Sequence, residues 1–413
     1  MNSKHDSIVF KPGRIGQTEI KNRLVRSATY ENAATPQGEV TDKLIDIYGT
    51  LAKGGVGLII TGCAAVHANC ASYPLIMRLD SDALIPGLAK ISRAVHQSAS
   101  DCKVMLQLFH PGRQVLDPSK RAQMGAVAPP AMLAYIQKHP EVLSQQVRHP
   151  VIEPTAPSAV YDTLFERTPR ALTEEEIEKI IDAYASSARR AAEAGFDGVQ
   201  VHAAHGYLLS TFLSPRTNRR EDRYGGSTEN RTRIVREIYG RIRQQVGDEF
   251  PILIKINTTD FLPDGTDLRE AARVGEILSA IGFAAIETSG GMWEAVTQPK
   301  EALGWPPVLL PESRTGIKSK EQEAYFLPGA KAIGASTNAT IMLVGGLRSF
   351  SRIEEVLQAG AADFVSLSRP LIRQPDLPEL WKSGKGADKA QCISCNACLP
   401  IGALPLACRA KAK

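Results

Sequence analysis

The stretch VHAAHGYL, residues 201–208, places His202 and His205 three residues apart, with Tyr207 two further on. Imidazole is the usual side chain for metal ligation and for hydrogen-bond or proton work near neutral pH, and a phenol can act as an acid. Three readings follow: half a metal site, a pair of core histidines, or a clamp in which the imidazoles hold a substrate or cofactor while Tyr207 moves a proton. Metal binding needs further ligands at suitable spacing, and neither an H-E-x-x-H pattern nor a nearby acidic ligand accompanies the pair. Lys255 lies inside the apolar run PILIKIN (251–257), where a buried ammonium demands a partner. It reads either as the Schiff-base nucleophile of a lyase or as a cation beside an anionic cofactor. Gly345 and Gly346 in VGGLR, with Ser368 and Arg369 in SLSRP, pair a glycine turn with an arginine, as phosphate sites do. Cys392, Cys395, Cys398 and Cys408 are spaced C-x2-C-x2-C-x9-C, a reasonable ligand set for an iron–sulfur cluster or for zinc.

The elements that must position these groups are eight short β-rich apolar runs. They cover residues 23–28, 56–62, 103–109, 196–202, 251–257, 283–289, 339–345 and 362–368. Their near-continuous hydrophobicity is what strands covered on both faces require. Helical patterns fall between them. Residues 173–195 read as a helix opened by Thr173 and closed by Gly195, 228–247 as one closed by Gly247, and 351–361 as a third. Eight strands alternating with helices, with no linker composition near the middle, predict an α/β fold of the (β/α)8 TIM-barrel class. In that class the strand C-termini carry function, which is where Ser27–Tyr30, Cys63, Gln107, His202, Lys255, Ser289, the glycine pair and Arg369 all fall. The proline-rich segment 110–172 is too long for a simple connection and reads as a lid over the barrel mouth. Residues 290–330 are a second excursion, whose two tryptophans read either as pocket wall or as packing under a loop.

Composition narrows the class. Of the 413 residues, 43% are hydrophobic and 23% charged, values of a globular chain, and the formal net charge of +5 has no clustered basic face behind it. Nucleic-acid binding is therefore not expected. With no signal-like N-terminus and no apolar run of spanning length, a soluble cytoplasmic protein without membrane attachment is expected. The division expected is a barrel over residues 1–383 and a cysteine-rich tail over 384–413.

The segment HAAHGYLLSTFLSPRTNRREDRYGGSTENRTR (202–233) resembles the central signature of the Old Yellow Enzyme family of FMN-dependent ene-reductase barrels. The resemblance extends through KNRLVRSAT (21–29), GVGLIITGCAAV (55–66), LQLFHPGR (106–113), ETSGG (287–291), VGGLR (344–348) and SRPLIRQPD (368–376), nearly the whole chain from residue 8 to 383. It implies FMN across the barrel mouth. Ser27, Ala28, Thr29, Tyr30, Cys63 and Ser289 would line it, with Gln107 at the polar edge of the ring. Lys255 would stand by N1 and C2=O, where the family usually has arginine, and Gly345, Gly346, Ser368 and Arg369 would hold the phosphate. NADH or NADPH would reduce the flavin, and hydride would pass to the β-carbon of an activated C=C substrate. His202 and His205 would bond the activating carbonyl and Tyr207 would protonate the α-carbon. The position that commonly carries cysteine or threonine, and tunes the flavin, falls on Tyr30.

The tail CISCNACLPIGALPLAC (392–408) resembles the [4Fe–4S] motif of larger relatives of the 2,4-dienoyl-CoA reductase and trimethylamine dehydrogenase type, with one residue fewer between the second and third cysteines. It implies a cluster that relays electrons to FMN; an amine- or enone-forming FMN dehydrogenase that passes electrons through such a cluster to a partner is the alternative. A redox-active disulfide, or a metal-free tail packed on the barrel or on a neighbouring subunit of a homo-oligomer, are the other expectations. A non-redox lyase using Lys255 is the reading from a different class.

Overall fold

The structure is a computed structural model that describes residues 4–67, 70, 73–115, 130–140, 152–306, 310–400 and 402–410. Eight parallel strands close on themselves: β1 (Leu24–Arg26), β2 (Leu58–Ala65), β3 (Lys103–Phe109), β4 (Gly198–Ala203), β5 (Ile252–Asn257), β6 (Ala285–Ser289), β7 (Thr340–Leu343) and β8 (Phe364–Leu367). Closure is made by β1, which pairs with both β8 and β2. A two-residue strand, Met77–Arg78, adds to the far end of β2. The outer layer is α1 (Asp42–Lys53), α2 (Ile85–Ser98), α3 (Glu174–Glu193), α4 (Arg233–Val246), α5 (Leu268–Ala280), α6 (Leu327–Gly334), α7 (Phe350–Gln358) and α8 (Leu377–Lys382), one after each strand. This is the expected (β/α)8 barrel.

The helix ends follow local chemistry. Thr173 Oγ1 accepts from Glu176 N at 3.2 Å while Glu176 Oε2 accepts from Thr173 N at 2.8 Å, a capping box that starts α3. The helix expected over 228–247 is instead broken at Thr232 into a turn, Thr228–Arg231, and α4. Arg231 holds that turn through Leu213 O at 3.0 Å and an ion pair with Glu270, contacts that helical periodicity does not reveal.

Inside the barrel the period of two sorts side chains by height. Val25, Leu58, Ile60, Met105, Leu253, Ala285, Met342 and Phe364 fill the lower part, closed from below by Ile15 and Ile20 of an N-terminal hairpin. Each such large side chain stabilises by about 1.5–3 kcal/mol through burial. Two residues further along the same strands stand Ser27, Gln107, Lys255 and Glu287. The polar site therefore rests on a dry floor.

Of the segment expected as a lid, residues 116–129 and 141–151 lie outside the described residues. The described part at 152–172 packs inward: Phe165 is buried 6.2 Å from Trp293, ring to ring, and Arg167 Nη2 donates to Arg113 O at 2.9 Å. Beneath it Arg113 is paired with Glu294 at 2.9 Å and Asp162 at 3.4 Å, all three buried. No helix among the described residues is long and apolar enough to cross a membrane.

Candidate active site

A cavity of about 300 Å³ opens at the C-terminal end of the strands. Ser27, Ala28, Thr29, Tyr30, Cys63, Gln107, His202, His205, Tyr207, Lys255, Ser289, Gly346, Ser368 and Arg369 all line it, so residues separated by up to 342 positions meet there. Gly345 sits one residue back from the wall.

The floor of the cavity is a continuous polar chain. Gln107 Nε2 donates to Gln200 Oε1 at 2.7 Å, Gln200 Nε2 donates to Glu287 Oε2 at 2.9 Å, and Lys255 Nζ lies 3.1 Å from that same oxygen. Lys255 also donates to Ser27 Oγ at 3.0 Å. Burial pushes the Glu287 carboxyl upward, but Lys255 and the surrounding hydrogen bonds outweigh it and hold the group below the usual carboxylate range. The buried ammonium has the partner its position demands. Strand register explains the pairing: Lys255 is opposite His202 on one side and Glu287 on the other, and Gln107 opposite Gln200.

Above this floor stand the histidines and the tyrosine. Desolvation, reinforced by the Lys255 charge, holds both imidazoles well below their ordinary pKa, so they are neutral. His202 Nδ1 accepts from Ala204 N at 3.3 Å, which places the ring proton on Nε2 and makes it a donor toward the cavity. His205 is differently held. It has φ +64, its N donates to Asn257 Oδ1 at 2.9 Å, and its Nε2 shares a hydrogen bond of 2.7 Å with Ser289 Oγ. The Tyr207 ring lies 4.9 Å from that of His202 and 4.7 Å from that of Phe109. Burial, then the neighbouring Tyr73 and Glu312, push its phenol well above the ordinary value, so it keeps its proton. A neutral donor and a protonated acid therefore share one cavity. Among the described residues no three His, Cys, Asp or Glu side chains converge as ligands of one metal ion, this pair included.

Phosphate-type features gather after β7 and β8. Gly345 and Gly346 have φ of +135 and +71, and a Cβ on Gly346 would stand 2.4 Å from Ile317 and 2.6 Å from Tyr325. Only glycine fits that turn. Thr29 Oγ1 and Ser368 Oγ, 2.7 Å apart, join the ends of β1 and β8. Arg369 follows at the start of a short helix, and Arg348 stands on the other flank.

Several lining residues come from loops that strand-end reasoning does not reach: Tyr73, Trp293, Glu312 and Tyr325. Tyr73 meets Tyr30 at 5.8 Å and Trp293 at 6.4 Å, edge to face, giving the cavity an aromatic wall. Of the two tryptophans expected as wall or packing, Trp293 is wall, whereas Trp305 packs against Phe261 and the Arg314 guanidinium. Tyr30 turns its hydroxyl to Asn32 Oδ1 at 2.7 Å.

Glu312 brings a carboxyl to this wall, with a buried Oε2 that has no hydrogen-bond partner. Burial pushes its pKa up to about 7, against a weaker downward pull from Lys255. The sign follows from a folded pKa above the unfolded one: the stability it contributes is complete below about pH 4.5 and is lost as pH rises through about 7. Glu312→Gln is expected to raise the Tm of the protein by roughly 3 °C at about pH 8.5 and to leave it nearly unchanged at about pH 5. Thermal melts across that range check it, and an equal shift at both pH values refutes it.

The four tail cysteines line one small cavity together with Arg369 and Arg373, and Cys398 also lines the large one. Arg373 Nη1 donates to Cys408 Sγ at 3.5 Å. Burial pushes the Cys398 thiol up to about 11 against the pull of Arg369. The tail does not stand apart from the barrel: Leu406 N donates to Glu31 O at 2.8 Å, and Asn32 Nδ2 donates to Gly402 O and Leu404 O, each at 3.0 Å.

The chain is similar to known proteins over most of its length. The profile of the NADH:flavin oxidoreductase / NADH oxidase family matches residues 8–387. An NADH oxidase of Thermoanaerobacter brockii is 34% identical over 393 residues, covering 95% of this chain and 53% of that protein. An NADPH dehydrogenase of Geobacillus sp. (strain WCH70) is 31% identical, covering 90% of this chain and 93% of that protein. Among solved structures, a 2-naphthoyl-CoA reductase complex superposes with a TM-score of 0.76 at 26% identity, covering 95% of this chain and 54% of that one. The chain thus spans about half the length of the first and third of these relatives.

Proposed function

Since the chain belongs to the NADH:flavin oxidoreductase / NADH oxidase family, we propose that it is an FMN-dependent oxidoreductase, in which NADH or NADPH is the reductant and an activated C=C compound the acceptor. The observation that carries the reading is the joint presence, in one cavity, of an ion-paired lysine, a glycine turn flanked by arginines, a neutral histidine donor and a buried phenol.

The residues fit the flavin by their chemistry. Ser27, Ala28, Thr29, Tyr30, Cys63, Gln107 and Ser289 would line its ring system, Lys255 would face its anionic edge, and Gly345, Gly346, Ser368 and Arg369 would take the phosphate. When bound, FMN supplies the redox centre that accepts hydride from the nicotinamide and gives it up to the alkene. The protein's part is binding, orientation and proton control. His202, its tautomer set by the Ala204 amide, donates from Nε2 to the substrate carbonyl, where negative charge develops during reduction. His205 steadies this edge through Ser289 and would turn its ring to give the second bond. Tyr207, kept protonated by burial, delivers its proton to the α-carbon. The aromatic wall of Tyr30, Tyr73 and Trp293 would exclude water from the reacting centre.

An anaerobic absorbance titration of the full chain tests the reading. Flavin bands are expected to bleach with NAD(P)H and return with an enone; a protein that takes up no FMN on reconstitution rules it out.

A second reading keeps FMN and reverses the electron flow, in an amine- or enone-forming dehydrogenase that passes electrons to a partner through a tail cluster. It is favoured by the four cysteines around one cavity that adjoins the large one. Four thiols are a donor set that a [4Fe–4S] cluster or zinc could use. Cys392, Cys395, Cys398 and Cys408 would hold that cluster, and iron in the purified protein is the readout. The Schiff-base lyase is disfavoured, since it needs a free amine and Lys255 is committed to Glu287 and Ser27.

A further inference from the structure

We propose that Asn396 is a positioning residue: by holding Arg369, it couples the cysteine loop to the phosphate end of the cofactor site. The proposal rests on the flavin reading above and concerns how that site is kept in shape.

Asn396 stands between Cys395 and Cys398, is 1% exposed, and has φ +57, a conformation asparagine tolerates better than most residues. Its amide is used at both ends. Oδ1 accepts from Arg369 Nη1 at 2.6 Å and from Ser313 Oγ at 3.0 Å, while Nδ2 donates to Ser313 O at 2.6 Å. One planar group thereby ties the cysteine loop to the segment after β6 and to the start of the short helix after β8. Arg369 Nη1 makes a further bond to Arg314 O at 2.8 Å, so the guanidinium is fixed from two sides.

The other arginine of the cradle is held by the same loop. Arg348 Nη1 donates to Cys392 O at 2.7 Å, and its Nη2 donates to Ile317 O. Both cations flanking the glycine turn are thus clasped by residues 392–396. Arg369 lines the large cavity and the cysteine cavity alike. Whatever reshapes the cysteine loop moves the acceptor that orients Arg369.

The test compares FMN with riboflavin, which lacks the phosphate, as ligands of the flavin-free chain, read by flavin fluorescence. Asn396→Ala is expected to weaken FMN binding by roughly tenfold to a hundredfold, the size of a hydrogen bond to a charged group, and to leave riboflavin binding unchanged. Asn396→Asp keeps the acceptor and is expected to keep the preference for FMN. Arg369→Gln leaves the loop in place and must show the same selective loss, which holds the proposal to account even if Asn396→Ala does not fold. Equal weakening of both ligands in Asn396→Ala marks general loosening and overturns the proposal, as does an unchanged preference in either Asn396→Ala or Arg369→Gln. A wild-type protein that binds neither flavin fails the flavin reading itself, a result distinct from a failure of the Asn396 coupling.

Discussion

Tyr207→Phe is expected to leave flavin reduction by NAD(P)H within about twofold and to slow reoxidation by an activated alkene by roughly 10²–10⁴-fold. The split follows from the role proposed for the phenol. Hydride transfer to the flavin consumes no proton from Tyr207, whereas saturation of the alkene ends with one delivered to carbon. Burial beside Phe109, His202 and Tyr73 holds that proton on the oxygen at all neutral pH values, so the rate of the second half-reaction should not titrate with the tyrosine. Phenylalanine preserves the edge-to-face packing, which keeps the cavity wall in place. Stopped-flow measurement of the two half-reactions separates the outcomes. Equal slowing of both would assign Tyr207 to cavity shape rather than to proton delivery.

Lys255→Met is expected to lower stability by about 3–5 kcal/mol, because Glu287 is left as an unpaired charge in the barrel interior. Adding Glu287→Gln should recover most of that loss, since the isolated carboxylate is then gone. The same lysine should also raise the flavin potential by stabilising the anionic reduced state. Its removal is expected to lower the midpoint by roughly 30–60 mV, the two-electron equivalent of one charge-assisted hydrogen bond. Lys255→Arg, which keeps the cation, should retain the potential. Destabilisation with no change in potential would make the Lys255–Glu287 pair purely architectural.

The barrel was readable because its strands are covered on both faces, which forces long apolar runs, and because helices need caps and glycine stops that leave marks in composition. The interior polar residues were readable only in part. Lys255 stands out against isoleucines and leucines, yet its partner Glu287 lies in ETSGG, where a glutamate draws no notice until register places it opposite the lysine. Gln200 is hidden in the same way. Tyr73, Glu312 and Tyr325 come from irregular segments whose direction no periodicity encodes, so their convergence needs three dimensions. The break at Thr232 has the same origin: a tertiary bond from Arg231 to Leu213 overrides a sequence that reads as one helix. The resemblance carried the residue roles, and the geometry added that the two histidines are held differently.

The strap from residue 402 to residue 406, bonded to Glu31 and Asn32, has a consequence for the order in which the molecule is made. The loop that follows the first strand carries the cavity-lining Tyr30, yet Asn32 beside it bonds to residues some 370 positions further along the chain. A nascent chain on the ribosome can form β1 to β8 in sequence and join Ala34 to Leu75 early, but the bonds of Asn32 must wait for some 370 further residues. Flavin capture should accordingly require synthesis through residue 406, and nascent chains stalled before that point should lack it.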